Sequence, residues 1–160
     1  MKLRTLVDAP VMMLMSPEGD PEAAEFQDQV REDEEVRVLR VGRTPLDALP
    51  LFEHLESGGI VVSQVDRVPS GAPHIEVSLF GKGFLLPQGL FRLAGVLGCP
   101  LVPVLSCREE SGEDIVRVTT PLVVPRRPTD GQLEKLAQDV ASRLEEHLRA
   151  YPTQWFHFTD

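Results

Sequence analysis

Short apolar runs rich in β-branched residues alternate along the chain with segments of helical spacing, and this alternation constrains the fold most. Strands alternating with helices are typical of an α/β sheet whose faces are covered by helices. A hairpin-like stretch near residue 75 adds antiparallel pairing. We therefore predict a mixed, mostly parallel α/β sheet flanked by helices. The predicted strands are 11–15, 36–41, 60–65, 75–79, 101–105 and 115–119, and the predicted helices are 21–26, 45–56, 88–97 and 130–150.

Length and charge narrow the class of protein. A chain of 160 residues suits one domain that buries about two-thirds of its unfolded surface, so we expect a single domain. The formal net charge of −9 disfavours nucleic acid as a partner, because phosphates favour a basic face. The same charge opposes simple adhesion to anionic lipid.

The chain carries no signal for a membrane span or a metal site. No run approaches the ~20 apolar residues that cross a bilayer. Cys99 and Cys107 lack metal-ligand spacing and a secretory context, so we expect two reduced thiols in a reducing compartment. These observations predict a cytoplasmic protein that requires no cofactor. They are also compatible with a peripheral position on the inner face of the plasma membrane.

The C-terminal segment 151–158 contains the only Tyr, the only Trp and two of the Phe residues beside Pro152. Chain ends usually fray unless they are held by packing. Each aromatic ring can bury roughly 150–250 Å², so we predict that this tail docks. It can do so by closing the core or by lining a site.

Three motif groups recur in a set order along the chain. A strand-like run enters through Gly58 and Gly59 and is followed by Asp66 and Arg67. The second group comprises Phe80-Gly81, Pro87-Gln88-Gly89, Leu93-Ala94 and Leu101-Val102-Pro103-Val104. The third group is the closing Pro152-Thr153-Gln154-Trp155. Over roughly residues 10–158 this order resembles the C-terminal half of the lysophospholipid acyltransferase superfamily, in its lipid A biosynthesis (lauroyl/myristoyl) branch. The Pro-x-Gln-Trp ending is the most specific element.

The resemblance implies an acyltransferase-like α/β fold and a role in membrane lipid or lipid A biosynthesis. It implies transfer of a fatty acyl group to a lipid hydroxyl from a thioester of acyl carrier protein or coenzyme A. The superfamily uses a His-x-x-x-x-Asp/Glu pair, in which the imidazole takes the hydroxyl proton and the carboxylate orients it. None of the four histidines here has a carboxylate five positions later, so we assign no catalytic residue.

Three explanations remain open for the missing pair. The coding start was placed too late, the catalytic half belongs to another chain, or the chain is a homologue that has lost catalysis. A non-catalytic module that binds a lipid precursor or a partner enzyme is the alternative function. An α/β domain whose likeness reflects packing alone is a third reading.

The substrate-binding residues implied by position are Asp66, Arg67, Gly81, Lys82, Pro87, Gln88 and Gly89. An arginine binds phosphate oxygens through its planar fork, although a surface ion pair would also explain Arg67. The first N–H groups of a helix can hold an anion, and Lys82 can add charge. Because ligands gather at strand ends and helix N-termini in open α/β sheets, we expect these residues to border one cleft. Arg126-Arg127 marks an exposed turn and a weaker phosphate candidate.

Overall fold

The structure is a computed structural model that describes residues 9–15, 37–40, 49–69 and 71–155. The chain divides into two units, Met1–Gln64 and Val65–Asp160. The helix predicted over 21–26 and the start of the helix predicted over 45–56 lie outside the described residues. The prediction of a single domain stays a prediction.

The first unit contains a parallel sheet. Its elements are β1 (Val11–Met15), β2 (Arg37–Arg40), α1 (Leu49–Glu56) and β3 (Ile60–Ser63). The strand order is β2-β1-β3, and both neighbours pair with β1 in parallel. Val11 and Met12 of β1 and Leu51 of α1 are buried. These apolar residues form the core of this unit because removal of their side chains from water is favourable.

A histidine fixes the turn between α1 and β3. His54 Nε2 lies 3.1 Å from the carbonyl oxygen of Ile60, to which it donates a hydrogen bond. A Cβ added to Gly59 would lie 2.4 Å from His54 Nε2. Glycine at this position therefore lets the imidazole pack against the backbone.

The second unit contains two antiparallel hairpins and two helices. Its elements are β4 (His74–Leu79), β5 (Lys82–Pro87), α2 (Gly89–Leu97), β6 (Val104–Arg108), β7 (Asp114–Val118) and α3 (Asp130–Ala150). β4 pairs with β5, and β6 pairs with β7. Phe80 and Gly81 connect β4 to β5 with φ values of 51° and 75°, and a two-residue type I′ hairpin turn requires positive φ at both positions.

The core of the second unit lies between β4 and α3. Burial alternates along β4, whose residues Ile75, Val77 and Leu79 are buried. The side chain of Gln138 on α3 bonds both the amide and the carbonyl of Ser78, each at 2.9 Å. The buried cluster comprises Ile75, Val77, Leu86, Phe91, Leu133, Ala137 and Ala141. The alanines allow α3 to approach the strand closely.

Local sequence signals set the start of α3 and the end of α2. Thr129 and Gln132 form a capping box at the start of α3, which satisfies amide groups that a helix leaves unpaired. Gly98 ends α2 in the left-handed conformation at φ 71° and donates to the carbonyl of Ala94. Gly95 is buried, and a Cβ there would lie 2.4 Å from Pro128 Cδ. α2 therefore packs directly on the turn before α3.

The mixed α/β class is confirmed, and some strand limits differ from the prediction. The run predicted as 101–105 forms a strand only from Val104, because Leu101 makes an isolated bridge with Leu122. From Leu101 to Val104 is three steps, whereas from Val118 to Leu122 is four, so the segment between Val118 and Leu122 holds one residue more than the segment that contains Pro103. β3 ends at Ser63, and β5 was not predicted as a strand.

Two expectations on cysteines and membranes can be compared with the described residues. Cys99 and Cys107 are both free, and Cys107 is buried. In the described ranges, no helix combines the length and the apolar character needed to cross a membrane.

Candidate functional site

The amino end of α2 lies at one end of the first hairpin. Pro87 ends β5 opposite His74, and the amide of Gln88 donates to the carbonyl of Pro73 at 3.0 Å. Gln88 is the N-cap residue, has φ −69° and ψ −26°, and makes no side-chain capping bond. The positive end of the helix dipole therefore has no side-chain cap from this residue.

The first hairpin separates the predicted site residues into two groups. Lys82 pairs with Leu79 at the turn, whereas Pro87 pairs with His74 at the opposite end. Five steps along a strand span about 17 Å. Gly81 and Lys82 therefore lie at the opposite end of the hairpin from Pro87, Gln88 and Gly89, and the expectation that one cleft is bordered by both groups stays a prediction.

The turn end of this hairpin contacts the carboxyl-terminal part of α3. The amide of Phe80 donates to Glu145 Oε2 at 2.6 Å. The guanidinium carbon of Arg149 lies 5.4 Å from the centroid of the Phe80 ring, and Arg149 also pairs with Glu145. Lys82 is exposed beside this turn.

Asp66 and Arg67 lie in the same unit as α2. Asp66 is half-buried, Arg67 is exposed, and each has an interaction partner. Arg67 precedes Pro73 by six residues along the chain. The carbonyl oxygen of Pro73 accepts a hydrogen bond from the amide of Gln88. The contacts with a substrate implied for all seven residues stay a prediction.

Arg92 is a charged residue near the α2 amino end that sequence reasoning missed. Its Nη2 donates to Asp130 Oδ1 at 2.5 Å, joining the first turn of α2 to the first residue of α3. Arg92 follows the Pro87-Gln88-Gly89 motif by three residues, and that short spacing was the available signal. Because both side chains are exposed, this pair adds little stability.

The aromatic tail docks through two neighbouring residues. The amide of Gln154 bonds the backbone of Arg108 twice, since Oε1 accepts from the N–H and Nε2 donates to the carbonyl, each at 2.7 Å. The Trp155 ring meets the Phe84 ring edge-on, with centroids 5.8 Å apart. These contacts give the Gln-Trp pair of the closing motif a structural role. Phe156, His157 and Phe158 lie outside the described residues.

The described histidines are engaged with backbone carbonyl groups. His74 Nδ1 lies 3.2 Å from the carbonyl oxygen of Ala72, and His147 Nε2 lies 3.2 Å from that of Ser106. His54 contacts Ile60 in the same way. Among residues 49–69 and 71–155, no hydrogen bond joins one of these imidazoles to a carboxylate. No described histidine therefore has the carboxylate partner that orients a base.

The Arg126-Arg127 turn is exposed, and its backbone packs on α2. Arg127 has φ 52°, and its amide donates to the carbonyl of Gly95 at 3.3 Å. Pro128 is buried against Gly95. The turn thus has a packing role, and phosphate binding by these two arginines stays a prediction.

A comparison with protein families finds one that covers nearly the whole chain. The family model described as bacterial lipid A biosynthesis acyltransferase matches residues 7–160. The matched range includes the α2 start, both hairpins and the docked Gln154-Trp155 pair. A search of curated proteins finds no match.

Proposed function

Because the chain belongs to the bacterial lipid A biosynthesis acyltransferase family, we propose that it acts in the transfer of a fatty acyl group to a lipid hydroxyl. The donor is a thioester of acyl carrier protein or coenzyme A, and the acceptor is a lipid A precursor. The observation that carries this proposal is the family match over residues 7–160. Since such donors are cytoplasmic, we place the protein in the cytoplasm, peripherally on the inner face of the plasma membrane.

The reaction needs a positioned base. A base removes the proton from the acceptor hydroxyl, the oxygen attacks the thioester carbonyl carbon, and the carbon–sulfur bond breaks as the thiol leaves with a proton. No histidine of this chain has a carboxylate five positions later, and His54, His74 and His147 bond backbone carbonyls. We therefore assign the base to a segment outside this sequence, on the same or on another polypeptide.

This chain contributes the acceptor side of the site. Arg67 supplies a planar donor for a phosphate group of the lipid, and the amino end of α2 from Gly89 onward supplies backbone N–H groups, with Gln88 beside them. Lys82 lies about 17 Å from Pro87 along β5, so Gly81 and Lys82 would meet a different part of an extended lipid. Asp66 and Pro87 complete the acceptor side by shaping the backbone around these donors.

Arg67→Gln is expected to weaken binding of a lipid A precursor by roughly tenfold, because one charge-assisted hydrogen bond to phosphate is lost. Lys135→Gln removes one positive charge at an exposed position of α3 that has no proposed contact with the lipid and is the matched control, with an expected change below about twofold. Binding to precursor-containing detergent micelles measures both. Equal losses in the two variants, or no loss in either, would remove Arg67 from the acceptor site.

The alternative function is a non-catalytic module that binds a lipid precursor or a partner enzyme. It is favoured by the backbone engagement of the three described histidines. Both functions predict binding of the lipid precursor. They differ in whether the chain, together with a polypeptide that carries the His-x-x-x-x-Asp/Glu pair, increases the rate of acyl transfer over that polypeptide alone.

The purified chain by itself is expected to show no acyl transfer from acyl carrier protein or coenzyme A thioesters. The physical reason is the absence of a histidine with a carboxylate at the required spacing. Radiolabelled acyl donors and a lipid A precursor provide the assay, with boiled protein as the control. Turnover that disappears on changing one of the four histidines to alanine would show that the chain carries its own base.

A further inference from the structure

An open pocket lies between the second hairpin and the carboxyl-terminal half of α3, apart from the acceptor side described above. Its volume is about 430 Å³, which is within the range of small-molecule sites. Its polar lining consists of Arg117, Thr119, Thr120, Arg143, Glu146 and His147. Two arginines therefore border one concave surface on a chain whose formal net charge is −9.

Arg143 is held in place by neutral acceptors. Its Nη1 donates to Thr119 Oγ1 at 2.7 Å and to the carbonyl of Thr120 at 2.5 Å. Thr119 Oγ1 in turn donates to the carbonyl of Pro103 at 3.0 Å, so it is oriented to accept from Arg143. A guanidinium has five N–H donors, and the Nη2 and Nε donors of Arg143 stay available for a ligand.

Arg117 is held in a similar way by Tyr151. Its Nη2 donates to the Tyr151 hydroxyl at 2.9 Å, and its guanidinium carbon lies 5.4 Å from the centroid of that ring. The neighbouring Cys107 thiol, together with burial, raises the pKa of Tyr151 above its usual value. The phenol therefore stays neutral near pH 7 and does not cancel the charge of Arg117.

The charges of the pocket are unbalanced. Within the described residues, neither Arg117 nor Arg143 forms an ion pair with a carboxylate, in contrast to Arg92, Arg108 and Arg149. Glu146 is the one acidic side chain in the lining. His147 adds unmet hydrogen-bonding capacity, since its Nδ1 is buried and has no partner in the described part of the chain.

From these contacts we infer that the pocket binds the phosphate group of an organic phosphate through Arg117 and Arg143. Pre-oriented guanidinium groups with spare donors match phosphate oxygens bidentately. The groups that hold the two arginines are neutral, so the positive charge is available to the ligand. The phosphate can come from a coenzyme A-type nucleotide or from a lipid headgroup, and binding requires no acyl transfer.

Titration of the full chain with inorganic phosphate, coenzyme A and phosphatidic acid vesicles tests the inference. Arg117→Gln and Arg143→Gln are each expected to weaken binding of the preferred ligand about tenfold. Lys135→Gln removes one positive charge at an exposed position of α3 outside the pocket and is expected to leave binding unchanged. Circular dichroism checks that each variant is folded, and Arg117→Gln is the decisive variant because its side chain is exposed.

The outcomes distinguish the two sources of phosphate. Tighter binding of coenzyme A than of vesicles identifies a nucleotide ligand, and the reverse identifies a lipid headgroup. Binding of both organic ligands no tighter than that of inorganic phosphate would overturn the organic-phosphate assignment. Equal affinity of Arg117→Gln and Lys135→Gln for every ligand would overturn the site itself.

Discussion

Removal of residues 151–160 is expected to lower the free energy of unfolding by roughly 3–5 kcal/mol, the range seen when large buried aromatics are lost. The tail anchors three parts of the second unit. Gln154 bonds the backbone of Arg108 on β6, Trp155 packs on Phe84 of β5, and the hydroxyl of Tyr151 accepts from Arg117 on β7. Truncation therefore leaves both hairpins with uncovered apolar surface and lost hydrogen bonds.

Single changes separate these contributions. Trp155→Ala is expected to cost about 2 kcal/mol, less than a fully buried tryptophan, because the ring is half-buried. Gln154→Ala is expected to cost about 1 kcal/mol for the lost hydrogen bonds. Thr153→Ala is the matched control, since Thr153 is exposed in the same turn. Urea unfolding is followed by circular dichroism for all three variants. Tryptophan fluorescence would not serve, because Trp155 is the only tryptophan and one variant lacks it. An unchanged midpoint in the truncated protein would contradict docking.

Local patterns predicted much of the fold. The helix over 130–150 matches α3 in full, because the Thr129 and Gln132 capping pair and the spacing of its apolar residues act within the segment. β4 was predicted within one residue for a similar reason, since alternation of apolar and polar residues is a local signal. β5 was missed because Gly83 and Pro87 weaken the strand pattern, and its pairing with β4 supplies what the local sequence lacks.

The candidate site was less predictable, because it depends on contacts between distant residues. Motif order placed Lys82 and Pro87 in one group, but the extended backbone of β5 separates them by about 17 Å. The bonds from Gln154 to Arg108 join residues 46 positions apart. The contacts of Arg143 with Thr119 and Thr120 likewise join α3 to the segment after β7. No local pattern encodes such pairs.

The second large effect is expected in cells that encode this chain and make lipid A. Deleting the gene is expected to remove one fatty acyl chain from lipid A, because the proposed function is one acyl transfer to a precursor hydroxyl. Restoring the full chain should return that acyl group. The version lacking residues 151–160 should fail to do so, because its fold is destabilised.

Mass spectrometry of lipid A from the deletion and complemented strains measures this effect most directly. A mass lower by one acyl group in the deletion strain, and regained on complementation with the full chain, is the expected result. Lipid A of unchanged acyl number in the deletion strain would contradict a role in lipid A acylation, whether this chain carries the chemistry or only the acceptor side.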